Sequence, residues 1–248
     1  MGYELETLAD EKRKLERKHR YRSPITIFSL LVVSTMSYTL YTPPGSFRAF
    51  KILIAAEFNS IDIDIPEYDY EKVVSMSPTG KAPVLELPSG AILFESNSIA
   101  KYIAKLRKDT GLMGQNGSFQ EKAMIEQWCD FSANVLELPA CVWWYPAVGY
   151  MAFSKEAYEK AKMDFSMGLS VLEKHLSGSE FLVGGSISLA DITVVSALVY
   201  PMKLVCEESY LKGYPNVVAW FKRCVEMKEF QNVIGKVTFC KNELKPKK

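Results

Sequence analysis

Histidine is nearly absent: the 248 residues hold only His19 and His175, too few for a multi-histidine metal centre. Cysteine is sparse and odd in number, at positions 129, 141, 206, 224 and 240, with no CxxC pair. That pattern reads as free thiols in a reducing compartment, not as a disulfide frame or a zinc site. Charge of one sign is missing too. Thirty Lys and Arg stand against 29 Asp and Glu, a net charge of +1. No global field is available to hold nucleic acid or an anionic membrane, so neither is expected as a direct partner. The chain has no Gly-rich phosphate loop, no HExxH, no GxSxG and no internal repeat. The apolar run at residues 25–33 falls short of the roughly 20 residues that span a bilayer.

The first 35 residues differ from the rest. A basic stretch, EKRKLERKHRYR at 11–22, precedes that apolar run. Its pattern does not continue into the β-prone segment beyond it, so residues 1–35 are expected to lie outside the fold as a leader. Met36 opens the self-consistent part.

From there the periodicity alternates between two and 3.6. Tyr38 to Tyr41 is a short β-prone run, broken by Thr42-Pro43-Pro44-Gly45-Ser46. FRAFKILIAAEF places Phe47, Phe50, Leu53, Ile54 and Phe58 at helical spacing. IDIDI at 61–65 alternates with period two, as a strand with one buried face does. PEYDYEKVVSMSPTG reads as irregular with one helical turn. VLEL and AILF flank Pro88-Ser89-Gly90 and predict a hairpin. SNSIAKYIAKL puts Ile99, Ile103 and Leu106 on one helical face. The order β-α-β-β-β-α predicts a mixed four-stranded sheet whose first two strands are parallel, joined by a right-handed helical crossover.

Residues 106–118 carry three glycines and read as a linker; beyond it the pattern is helical only. Residues 119–142 form one long helical pattern, ended or kinked at Pro139 and Pro146. Residues 155–176 form a second, 189–205 a nearly all-apolar central helix, and 215–227 a fourth with Pro215 in its first turn. The expected architecture is an α+β thioredoxin-like domain over 36–108, an all-α domain over 118–240, and a frayed, solvated Lys-rich tail at 241–248.

Three local constellations stand out. Gly80-Lys81-Ala82-Pro83 precedes a strand. A cis Ala82-Pro83 bond would free the Ala82 backbone to pair with an extended peptide, but an ordinary trans proline is the expected form. Glu95-Ser96-Asn97 joins a strand to a helix. Ser96 is a natural N-cap, and the helix end beyond it can hold a carboxylate, with Glu95 placed to meet an ammonium group. Ser188 and Asp191 match a capping box, flanked by Ile187 and Ile192 at staple positions, which is a folding signal. Trp143, Trp144 and Tyr145 are expected in core and interface packing, and His175 on a helix surface.

The ordering of these parts resembles the glutathione transferase fold from Met36 to about Cys240. Within it, FRAFKILIAAEF, GKAPVLE, FESNSIAKYIA, WWYPAVGYM, FLVGGSISLADITVVSAL and EFQNVIGKVTFC resemble the N-terminal, transferase-like domain of the gamma subunits of eukaryotic translation elongation factor 1B. The resemblance implies a cytoplasmic scaffold that docks the guanine-nucleotide-exchange subunit of elongation factor 1B, with self-association as a dimer as a further property. No cofactor is required. The other reading it carries is an enzyme conjugating glutathione to electrophiles. The glutathione-binding residues it implies are Ala82 and Pro83 for the cysteinyl backbone and Glu95 and Ser96 for the γ-glutamyl end. Ser46 and Thr42 are the candidates for a thiol-activating hydroxyl, neither of them fixed by the sequence.

Overall fold

A computed structural model describes residues 37–115 and 117–246. The leader expected at 1–35 lies outside them. β1 (Tyr38–Tyr41) enters the interior at Leu40 and Tyr41, and a turn at Pro43 to Gly45 sends the chain into α1 (Phe47–Asn59). Gly45 has φ +71, a conformation that costs glycine little. α1 buries Phe47, Phe50, Ile52 and Ile54 and stops where Ser60 turns left-handed. At its end the fully buried Asn59 donates to the Ile103 carbonyl at 2.7 Å and accepts from Thr110 at 2.6 Å.

β2 is only Ile63–Asp64, parallel to β1 in the register Tyr38↔Ile63. The alternation of IDIDI holds at Ile61 and Ile63, but Ile65 is exposed, and Pro66, which has no N–H, comes directly after it. The one helical turn expected in the next stretch is a longer helix, α2 (Tyr70–Met76), because Asp69 caps it by accepting from the Lys72 N–H at 3.1 Å and Val73 anchors it in the core. β3 (Val84–Glu86) and β4 (Ile92–Phe94) form the expected antiparallel hairpin. The sheet order is β2-β1-β3-β4, and α3 (Ser96–Lys105) packs on α1.

The segment read as a linker is docked: Leu112 is fully buried and its carbonyl accepts the Leu189 N–H at 2.9 Å. After it, α4 (Phe119–Phe131) and α5 (Leu138–Val148) are joined by a π-helical segment, Ser132–Glu137. The chain stays helical through both prolines: Pro139 falls in the first turn of α5, directly after the π turn, and Pro146 sits inside α5. α6 (Lys155–Leu176) is capped by Ser154, and α7 (Leu189–Leu204) runs through the interior with nearly every residue buried. α8 (Glu208–Leu211), α9 (Pro215–Val225) and α10 (Lys228–Ile234) complete the helical part. One hydrophobic cluster runs from Leu40 and Ile54 beneath the sheet to Phe165 and Leu198 among the helices, so the thioredoxin-like part and the all-α part pack as one unit.

Asp191 anchors α7 as its capping box foretold. Its carboxylate accepts from the Ser188 N–H at 3.0 Å, the Ser188 hydroxyl at 2.9 Å, the Leu182 N–H at 2.9 Å and the Trp220 indole at 3.0 Å. Burial pushes this carboxyl above its usual range, and the four donors pull against that.

The end of the chain is not frayed over 241–246. It runs as a strap over α7, with the Cys240 N–H on the Met202 carbonyl at 3.0 Å and the Leu244 N–H on the Leu204 carbonyl at 2.7 Å. Glu243 is buried beneath it. The Trp143 indole donates to it at 2.9 Å and Lys162 at 3.0 Å, and Tyr158 and Lys245 also donate. Burial opposes ionisation of Glu243, yet these donors together hold its carboxyl down at about 2. A Lys-rich composition suggested solvation, but one glutamate meeting two lysines and two ring donors overrides it.

No helix among the described residues is long and apolar enough to cross a membrane, and no group of three or more His, Cys, Asp or Glu there could hold a metal ion.

Candidate functional site

Between the start of α1, the start of α3 and the π-helical segment lies an open cleft of about 1030 Å³. Its polar wall carries Ser46, Arg48 and Lys51 from α1, Lys81, Ala82 and Pro83 from the loop before β3, and Glu95, Ser96 and Asn97. Its other wall carries Glu137, Leu138, Trp144 and Tyr145, with Tyr200 and Leu204 from α7.

Five of the six residues singled out in the sequence therefore face one cavity. Thr42 does not. It is buried, its hydroxyl donates to the Pro43 carbonyl at 3.4 Å, and it lines a smaller neighbouring hollow of about 500 Å³. Ser46 is half-buried at the N-cap of α1, and its hydroxyl makes no capping bond.

Two local expectations change. The Ala82–Pro83 peptide is cis, not trans. Only a small share of X-Pro bonds take this form, so the sequence alone favoured the other; the backbone of Ala82 joins no turn or loop hydrogen bond among the described residues. The N-cap of α3 is Glu95, not Ser96, which is already its first helical residue. Glu95 holds φ +70 and ψ 110, a conformation L-residues avoid and one found mostly where a site imposes it. Its carbonyl still accepts the Ile99 N–H at 3.0 Å. The Ser96 hydroxyl, free of capping, remains at the cleft.

The charge network under this cleft went unseen in the sequence. Arg48 and Lys51, three residues apart in the largely apolar FRAFKILIAAEF, both meet Glu137. Arg48 Nε lies 2.7 Å from Glu137 Oε1, and Lys51 Nζ 3.4 Å from Glu137 Oε2. Lys51 Nζ also donates to Asn97 Oδ1 at 2.8 Å, and Asn97 Nδ2 to the Cys129 carbonyl at 3.0 Å. The lysine is almost wholly buried, which pushes its ammonium pKa down against the pull of Glu137. For Arg48, burial is outweighed by Glu137 and Tyr145, so its pKa rises. Two cations in an apolar stripe were the only sequence trace. Their carboxylate lies 86 positions away, on a π turn that periodicity does not announce.

The aromatic wall is also partly new. Trp144 meets Tyr145 at 4.5 Å and Tyr200 at 5.0 Å, edge-on and tilted, while the Tyr200 hydroxyl donates to the Gly45 carbonyl at 2.6 Å and braces the β1–α1 turn. Burial pushes the Tyr145 phenol up to about 12. Trp143 instead sits in the core on Glu243, so the three consecutive aromatics divide between core and cleft. His175 is half-buried, its ring 4.8 Å from that of Trp128 and its Nε2 2.9 Å from the Leu182 carbonyl.

Comparison with known proteins places this arrangement. Residues 38–107 match the model of the glutathione S-transferase N-terminal domain, and residues 140–227 that of the glutathione S-transferase C-terminal domain. The chain is 39% identical over 212 residues to elongation factor 1-gamma-B of Xenopus laevis, covering 82% of this chain and 47% of that protein. It is 37% identical over 232 residues to elongation factor 1-gamma of Danio rerio, covering 85% of this chain and 51% of that one. It thus spans about half the length of the curated relatives it matches. Among solved structures, the GST-like domain of elongation factor 1-gamma from Saccharomyces cerevisiae superposes with a TM-score of 0.75 at 21% identity, over 86% of this chain and 100% of that domain. The glutathione transferase URE2P6 of Phanerochaete chrysosporium, solved with oxidized glutathione, superposes at 0.73 and 24% identity, over 81% of this chain and 96% of that one. Both structural likenesses speak to the fold.

Proposed function

The chain belongs to the glutathione S-transferase family, in the branch of the elongation factor 1-gamma proteins, and from that premise we propose that it is a cytoplasmic scaffold of the elongation factor 1B complex that binds its guanine-nucleotide-exchange subunit. The observation that carries this reading is identity of 35–39% with elongation factor 1-gamma proteins over four-fifths of the chain. A net charge of +1 suits a protein partner better than RNA, whose affinity rests on phosphate-neutralising Lys and Arg. Self-association as a dimer belongs to the same proposal. A docking interface of this kind buries roughly 1,200–2,000 Å² in total.

The test mixes the purified protein with the purified exchange subunit and follows association by calorimetry. Association at micromolar concentration or below, persisting at moderate salt and unchanged by Ser46→Ala with Thr42→Val, supports the scaffold. No association, together with brisk conjugation of glutathione to a model electrophile, overturns it in favour of the enzyme.

A second reading concerns the cleft itself, which we propose binds glutathione. The supporting observation is that Ser46, Ala82, Pro83, Glu95 and Ser96 line one cavity. Ala82 would meet the cysteinyl backbone and Ser96 the γ-glutamyl carboxylate. Titration of glutathione into the protein tests it, and absence of heat and of competition by S-methylglutathione would refute it.

A further inference from the structure

The charges at the base of the cleft do not balance. Glu137 is one carboxylate shared by two cations, Arg48 and Lys51. Lys51 is sealed: its side chain is 1% exposed and its ammonium is occupied by Asn97 and Glu137. Arg48 is not. Its side chain is 35% exposed and lines the cleft; Nε is held by Glu137 and one terminal nitrogen lies 3.5 Å from the Tyr145 hydroxyl. The Cys141 thiol also meets the guanidinium and the Phe47 ring lies 4.7 Å from its Cζ, which still leaves part of its five N–H groups beyond these partners. The surplus positive charge therefore meets the cavity at Arg48, where the polar wall joins the aromatic one.

We propose that the Arg48 guanidinium is the group that meets the sulfur of a thiol ligand in this cleft and holds it as the thiolate, with Glu137 and Lys51 as positioning residues. The inference rests on the reading that the cleft binds glutathione. With the cysteinyl backbone at Ala82 and the γ-glutamyl end at Ser96, the polar groups of the cleft left to meet the sulfur include Ser46 and Arg48 at the start of α1. Thr42 faces elsewhere and spends its hydroxyl on Pro43. Ser46 supplies a neutral donor; Arg48 supplies a charged one, and charge-assisted hydrogen bonds are roughly twice as strong. In the step itself the S–H bond breaks, the proton passes to solvent water and the sulfur keeps the electron pair; nothing is oxidised or reduced. Glu137 fixes the guanidinium through Nε. Lys51 holds Glu137 in place from its other oxygen and, through Asn97, ties it to the turn that carries Ser96.

The experiment titrates the thiolate ultraviolet absorbance of glutathione bound to the full protein against pH, with binding of S-methylglutathione as the control that lacks a thiol. The expected result is a bound thiol that ionises at least about one pH unit below the free value of about 8.5. Arg48→Gln should return it upward by about one unit or more while S-methylglutathione binds as before. That variant leaves Lys51 and Glu137 as a balanced pair, so the fold is expected to survive; Arg48→Lys, which keeps the charge, should retain part of the shift and serves if Arg48→Gln does not fold. Glu137→Gln should also raise the thiol value. Glutathione that binds but ionises as it does in water, or identically in wild type and Arg48→Gln, overturns the role of Arg48 and leaves the binding reading standing. Binding of neither glutathione nor S-methylglutathione overturns both.

Discussion

Glu137 and Glu243 are near twins in chemistry. Each is a buried carboxylate met by two basic side chains, Arg48 and Lys51 in one case and Lys162 and Lys245 in the other. They differ in what lies beside them. Glu243 is closed over by Trp143, Tyr158 and its own strap, and its cluster lines none of the described cavities. Glu137 stands on a π turn at the wall of a cleft of about 1030 Å³, and one of its cations is partly open to that cleft. The same ion cluster is a fastener where it is enclosed and a candidate ligand contact where a cavity leaves one charge unspent. A buried ion pair gives little net stability unless its remaining hydrogen bonds are satisfied, and Glu243 satisfies them fully.

The largest expected effect comes from a third buried carboxylate, which meets no basic side chain among the described residues and so marks the purely structural extreme. Asp191→Ala strands the Trp220 indole and the Leu182 and Ser188 N–H groups in the interior. A loss of about 3–4 kcal/mol is expected from chemical denaturation. A loss below about 1 kcal/mol would show that these donors find water, and the contrast with the two ion clusters would lose its reference point.

Glu243 comes next. Its carboxyl is held at about 2 against an ordinary 4.5, so its contribution is complete above about pH 4.5 and is lost as pH falls toward 2. Discounted for the exposure of Lys245, that contribution is roughly 1–3 kcal/mol. Glu243→Gln should flatten this acid limb of the stability profile and leave glutathione titration of the cleft unchanged. An altered affinity would mean that strap and cleft are coupled.

At the cleft the expected pattern reverses. Ser96→Ala should weaken glutathione binding by about 1–3 kcal/mol, the range for a hydrogen bond to a charged group, with the melting temperature nearly unmoved. Equal affinity in calorimetry would place the γ-glutamyl carboxylate elsewhere. The smallest effect is on the bridge between the regions. A Cβ on Gly168 of α6 would come within 2.7 Å of Leu136 Cδ2 and 3.3 Å of Val135 Cγ1, both on the π turn that carries Glu137. Gly168→Ala should cost about 1 kcal/mol, since side chains can yield, and shift glutathione affinity more than Glu243→Gln does.

Much of this was legible in the chain. Helical spacing located α1, α3 and α6, each of which buries one stripe against a common core, an apolar run located α7, and β-prone runs and a Pro-Ser-Gly turn located β1 and the hairpin. The Ser188–Asp191 box announced its own cap, since its partners lie three residues apart. α2 showed in the chain only as a single turn because its one buried residue, Val73, gives no stripe. Ala82, Pro83, Glu95, Ser96 and Ser46 were candidates that the family resemblance implied, and the structure places them on one cavity, though neither the cis bond nor the strained Glu95 cap could be read from them.

The sequence by itself thus determined whatever depends on neighbours within a turn or two: which segments are helices or strands, where most of them stop, and which loops carry polar groups. The tertiary structure alone decided which charges meet. Glu137 finds Lys51 across 86 positions, and Trp143 finds Glu243 across 100. It also decided that Trp144 lines a cleft while its neighbour Trp143 is sealed in the core. The physical reason is range. Backbone hydrogen bonding and apolar periodicity are local and leave their imprint on consecutive residues. The pairing of buried charges and the shape of a cavity arise only when distant elements pack, and no spacing along the chain encodes them.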